Sequence, residues 1–255
     1  MCGVAHKDKV NAFLKPYGVE AITYPTFTPL YFSGETFLCV GGKSFTDATY
    51  AGGSVMSYGE FNVGLSARVI GTPAVGPKAE GDTFYFDTIF NNQQAKAYKN
   101  NNWQYGGVMG TVTVTQPFVD GGTPIVAHPA SLIVRKQGVS GVYFLATIGQ
   151  PIDSWYNVDF FAQKVNNMED EKNQYFLYDI TPGNVWNNGL KFNRRWYKKV
   201  YRQDFNPAVD SYYVKPGTEL SQALKQIDWQ PKFWNSSPHI EEAYYVGKKL
   251  FTLAP

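Results

Sequence analysis

FYFDTIFNNQQAKAYKNNNWQYGGVMGTVTV, residues 84–114, is the stretch on which the reading of the fold turns. Up to Phe90 it is mostly aromatic and β-branched, which suits a buried strand over 83–90. Asn91-Asn92 then offers an N-cap for a short helix, QQAKAYKN, because an Asn side chain accepts from the open amides of a first helical turn. Gly106-Gly107 forms a turn, and a second strand begins near Thr111. A helix set between two strands leaves its following turn facing the sheet interior, so a pocket is expected there.

Working outward, residues 6–15 place Val10, Phe13 and Leu14 at helical spacing until Pro16 stops them, giving a helix that caps the sheet. Residues 17–53 alternate Pro, Gly and short apolar runs, with one secure strand at 36–40. VMSYGEFNVGLSARVI, residues 55–70, is a long alternating strand that Gly59 and Gly64 should bend or bulge. A Gly/Pro-rich hairpin connection fills 69–82.

Beyond residue 114, apolar runs recur at 125–135, 142–148, 155–161, 175–180, 196–201 and 208–214, separated by Gly, Pro, Asn and Asp. Residues 218–227 carry a capping pattern and helical spacing, and 240–253 return to strand. The pattern fits one domain over 1–255: a mainly β, largely antiparallel sheet, closed or nearly closed, with about three peripheral helices. A doubly wound α/β fold is excluded by missing crossover helices, and no dinucleotide fingerprint or phosphate loop is present.

The formal charge of +2 in 255 residues points to no nucleic-acid partner, and no run of 18 apolar residues points to a membrane. The basic-aromatic segment 192–202 reads as a solvated strand face with amphipathic stems rather than an RNA surface. Aromatic residues make up 16% of the chain, which suits either a β-rich composition or an aromatic-lined cavity. Cys2 and Cys39 make no disulfide framework and are expected as reduced thiols in a cytoplasmic protein. His6, His128 and His239 are far apart and show no metal-ligand spacing, so neither metal nor other cofactor is expected. A hydrolase triad has no positive signal.

Glu60 is the most informative titratable residue, set among Val55, Met56, Tyr58, Phe61 and Val63. Periodicity alone slightly favours an outward-facing carboxylate on a half-exposed strand. The alternative, a buried carboxylate, would take up a proton more readily and suit general acid/base work.

The order Tyr58-Gly59-Glu60, a Gly/Pro hairpin, an aromatic strand ending in Asn91-Asn92, a helix, then Gln104-Tyr105-Gly106-Gly107-Val108-Met109-Gly110 resembles acetoacetate decarboxylase and its superfamily. Asn235-Ser236-Ser237-Pro238-His239-Ile240 is similar to that family's closing strand, and residues 13–20 to its early turn. The resemblance implies a closed β-cone with an apolar pocket and aligns Glu60 with a family glutamate. It also implies a lysine-bearing turn whose amine forms a Schiff base with a β-keto acid. Here that turn is Tyr105-Gly106-Gly107-Val108, which carries no amine. The family's substrate-binding arginine has no secure match either.

The expectation is therefore an enzyme that handles a small, largely apolar carbonyl or polyene-like metabolite by acid/base-assisted cyclisation, dehydration or isomerisation. Glu60 is its acid/base group, with Asp87 and His239 as polar partners and Tyr58, Tyr85, Trp103, Gln104, Tyr105 and Met109 shaping the substrate site. A non-catalytic carrier of a lipophilic molecule, or a structural assembly subunit, stays open as an alternative, as does a homo-oligomer.

Overall fold

The computed structural model describes residues 1–17, 19–21, 35–49, 55–69, 83–103, 106–115, 130–149, 156–157, 174–177, 187–196, 201–236 and 240–251. In chain order these form β1 (Cys2–His6), α1 (Lys7–Leu14), β2 (Val19–Ala21), β3 (Glu35–Thr49), β4 (Val55–Val69), β5 (Thr83–Phe90), α2 (Gln93–Trp103) and β6 (Val108–Thr115). There follow β7 (Ser131–Lys136), β8 (Phe144–Thr147), β9 (Tyr156–Asn157), β10 (Gln174–Leu177), β11 (Asn187–Trp196) and β12 (Tyr201–Asp204). The last elements are β13 (Ser211–Val214), α3 (Glu219–Gln226), β14 (Gln230–Ser236) and β15 (Ile240–Phe251).

Twelve strands form one sheet in the order β13-β8-β7-β6-β5-β4-β3-β1-β14-β12-β9, with β2 also paired to β4, while β10-β11-β15 form a second sheet. The fold is mainly β with few helices, and the large sheet curls strongly into a half-barrel. Pairing is antiparallel except between β5 and β6, which run parallel because α2 carries the chain back across the sheet. The curl needs close approach between non-neighbouring strands. At Gly59 of β4 a Cβ would lie 2.9 Å from the Val112 carbonyl oxygen of β6, so only a glycine admits this contact.

Local sequence explains the element ends. Asn92 Oδ1 accepts from the amides of Gln94 (2.8 Å) and Ala95 (3.1 Å), capping α2, an interaction that stabilises a helix by about 1 kcal/mol. Thr218 Oγ1 accepts from Ser221 N at the start of α3. The register between β4 and β5 shifts at Val63/Gly64, but the extra residue there is Phe86, so the bulge expected in β4 lies on its partner β5.

Between the faces of the curled sheet the core gathers Leu38, Val40, Phe61, Val63, Leu65, Ile89, Val134 and Phe144, with Val10 and Leu14 of α1 and Leu220 and Leu224 of α3. Each such large side chain contributes about 1.5–3 kcal/mol on burial. The first helix thus sends its apolar side into the core, against α3, and is more than an outer cap.

Several expectations are corrected. The strand at 36–40 extends over 35–49, and β1 and β14 were not foreseen; the second strand of the central unit starts at Val108 rather than Thr111. Of the run at 196–201, Trp196 ends β11 and Tyr201 begins β12, while 197–200 lie outside the described residues. The cysteines are not reduced thiols: Cys2 and Cys39 stand opposite each other in the β1–β3 register, their Cα atoms 4.1 Å apart, and form a disulfide. A separation of 37 residues hides such a pair until the register is known.

Candidate functional site

Alternation along β4 sorts its side chains onto two faces. Phe61, Val63 and Leu65 enter the apolar core, whereas Tyr58, Glu60 and Asn62 point the other way. That second face is covered as well: Glu60 is 1% exposed, Tyr58 5% and Asn62 6%. Glu60 is therefore buried, and the outward-facing reading is overturned because both faces of β4 are packed.

Register carries this face across four strands. Lys43 of β3 and Phe90 of β5 stand opposite Glu60, and Met109 of β6 stands opposite Phe90. One position along, Gly41 and Thr88 flank Asn62. Glu60 Oε1 accepts from Asn62 Nδ2 at 2.7 Å, a contact made natural by two residues of one strand sharing a face. The buried Thr88 hydroxyl has no hydrogen-bond partner among the described residues. Aromatic rings border this polar patch: Tyr58 stacks on Phe45 with centroids 4.6 Å apart and meets Phe90 at 6.3 Å. Strand β10 of the small sheet lies against β5.

The turn after α2 is locked to the same row. Asn100 clasps Gly107 with both ends of its amide, Nδ2 donating to the Gly107 carbonyl (2.8 Å) and Oδ1 accepting from Gly107 N (3.0 Å). Gly107 is buried against the Phe90 ring, where a Cβ would sit 2.8 Å from Cδ2. A side chain at 107 must displace Phe90, the direct neighbour of Glu60. Gly106 before it takes φ of 62°, a conformation that favours glycine.

Asp87 belongs elsewhere. It pairs with Val63 in the β4–β5 register, so it lies on the core face, opposite to Glu60. There the Tyr143 hydroxyl donates to Asp87 Oδ2, and Lys136 Nζ bonds Oδ1 at 3.1 Å while lying 5.0 Å from the Tyr143 ring centroid. Burial pushes the Asp87 carboxyl above its ordinary range, partly opposed by the charge of Lys136 and by the bonds from Tyr143 and Lys136. Burial likewise pushes the Tyr143 hydroxyl up, reinforced by the charge of Asp87.

Of the residues read from sequence, Glu60, Tyr58 and Met109 thus share one face, and Asp87 is separated from them by the thickness of the sheet. Tyr85 lies in β5 opposite Gly64, and Trp103 is the last residue of α2. Gln104, Tyr105 and His239 lie outside the described residues. Sequence reasoning missed Asn62, although its place two residues from Glu60 in a strand was the available signal. It also missed Lys136 and Tyr143, which lie 49 and 56 residues from Asp87 and leave no local trace. Among the described residues no three His, Cys, Asp or Glu side chains gather into a metal-holding group.

No protein-family model matches the chain, and no curated protein sequence matches it significantly. Solved structures do. The chain is similar to acetoacetate decarboxylase from Legionella pneumophila, with a TM-score of 0.56 and 13% identity over 98% of this chain and 83% of that one. It is also similar to the enduracididine biosynthesis enzyme MppR complexed with pyruvate, with a TM-score of 0.54 and 10% identity over 98% of this chain and 86% of that one. At these identities the likeness is one of fold, and the fold is that of the acetoacetate decarboxylase-like enzymes.

Proposed function

We propose that the chain is a small-molecule enzyme that moves a proton next to a carbonyl group, with Glu60 as its acid/base residue. The observation that carries this reading is the burial of Glu60 at 1% exposure with one carboxylate oxygen held by Asn62. A fixed hydrogen bond on one oxygen of a carboxylate held out of bulk water orients the remaining lone pairs for proton transfer. Tyr58, Phe90 and Met109 would form an apolar border for the substrate, and Lys43, across from Glu60 in register, would place a positive charge on the face where enolate charge develops.

Schiff-base chemistry at the turn after α2 is no part of this reading. Gly106 and Gly107 supply no amine, and the packing of Gly107 on Phe90 leaves no space for one. Proton transfer within a held substrate would then serve cyclisation, dehydration or isomerisation of a carbonyl metabolite, with preorganisation supplying several kcal/mol of the barrier reduction.

The fold neighbour's pyruvate complex supplies a starting probe. Exchange of substrate protons for deuterium in D2O, followed by proton NMR across pyruvate and a series of small ketones and keto acids, reports proton abstraction directly. The protein should accelerate exchange of at least one member, and Glu60→Gln should slow it by about 100-fold or more. Equal rates in the two folded proteins, or no acceleration anywhere in the series, would overturn the proposal. Borohydride added with the keto acid should trap no covalent adduct.

A further inference from the structure

The cluster of Asp87, Tyr143 and Lys136 has no part in the chemistry proposed for Glu60, and it opens on a groove of its own. The groove has a volume of about 510 Å³, and its lining includes Tyr143, Lys136, Ser140, Lys215, Thr218 and Glu219. It is bounded by the turn between β7 and β8 on one side and the approach to α3 on the other. These two lips are pinned together: Lys215 N donates to the Tyr143 carbonyl at 2.9 Å, and Lys215 Nζ donates to the Ser140 carbonyl at 2.5 Å.

Two lysines line this one space, each ammonium held by a hydrogen bond. Lys136 is anchored on Asp87, and its side chain is 18% exposed; Lys215 is anchored on Ser140. An ammonium carries three donors. The bonds shown use one at Lys136 and two at Lys215, which leaves donors for a ligand. Lysines act as point charges and do not match a planar carboxylate edge to edge. Two such charges, on side chains that enter the space from its two lips, suit an oxyanion whose oxygens point in several directions. The volume exceeds that of a bare anion and falls in the range of small-molecule sites.

We propose that this groove is a second binding site, on the other side of the sheet from Glu60, for the phosphoryl end of a small metabolite gripped between Lys136 and Lys215. Glu219 at the rim works against that charge and gives the site an internal control. Asp87 and Tyr143 are positioning residues that hold Lys136 in place.

Inorganic pyrophosphate, titrated into the full chain by calorimetry at constant ionic strength, tests the site. Saturable binding at one site per chain is expected. Lys215→Ala should weaken it about tenfold, the loss of one charge-assisted contact, and Lys136→Arg should largely preserve it. Glu219→Gln should tighten it several-fold, an effect that a merely structural role for this rim would not produce, and Glu60→Gln should leave it unchanged. Non-saturable binding, equal affinity in Lys215→Ala and the parent protein, or weaker binding in Glu219→Gln would each overturn the proposal.

Discussion

The two faces of β4 and β5 each bury a carboxylate, in different company. Asp87 is held by a hydroxyl donor and an ammonium donor, from Tyr143 and Lys136, in a sector otherwise filled by Phe61, Val63 and Ile89. Glu60 sits on the reverse with Asn62 and an aromatic border. A carboxylate held by a tyrosine and a lysine is a structural fastener, since removing either partner leaves a polar group without its bond in a dry environment. The Glu60 carboxylate instead meets Asn62 and an aromatic border, the company that the proposed proton transfer calls for. The same residue chemistry thus divides between stability and catalysis according to its neighbours.

Substitutions can break or sharpen that division. The largest expected effect on stability is at Lys136→Met, which should cost about 3 kcal/mol near neutral pH, because Asp87 then loses its cation. Chemical denaturation measures this, and proton exchange per folded molecule should stay at the parent level. Tyr143→Phe should cost about 2 kcal/mol by stranding Asp87 Oδ2, again with exchange intact. On the opposite face the ranking reverses: Glu60→Gln should shift stability by less than about 1 kcal/mol, since the amide oxygen still accepts from Asn62, while exchange collapses. A Glu60→Gln protein that unfolds, or a Lys136→Met protein that folds well but loses exchange, would show that the two faces are not divided in this way.

The smallest effect is one of pH. Burial makes the folded Asp87 carboxyl keep its proton to a higher pH than in the unfolded chain, against the lowering by Lys136 and Tyr143 and with a small rise from Glu219. Its contribution to stability is therefore full below the unfolded range near about 3.9, and is lost as pH rises through the folded value. The stability of the parent protein relative to Asp87→Asn should fall as pH increases across that window, as measured by denaturation at a series of pH values. A difference that rises with pH would mean that the Lys136 and Tyr143 contacts outweigh burial.

How much of this was legible in the chain varies with the range of the interaction. Asn92, Gly106-Gly107 and Thr218 act within a few residues, so the central strand–helix–strand unit and the last helix could be read directly. The 15-residue β4 and the resemblance to the decarboxylase-like fold were also legible, because alternation and the order of motifs are read along the chain, whereas the bulge expected in β4 falls on β5. The face on which Glu60 lies was not. Alternation assumes one wet face, whereas this strand is packed on both, and the aromatic cover of Tyr58, Phe45 and Phe90 comes from three different strands.

By itself, then, the sequence determined a mainly β chain, the caps and turns of its central unit, and a turn after α2 without an amine, all consequences of short-range backbone chemistry. Only the tertiary structure decided that Glu60 and Asp87 occupy opposite faces, that Cys2 meets Cys39, and that Lys136 and Tyr143 close on Asp87. Strand register sets each of these, and a shift of one residue would send every side chain to the other face.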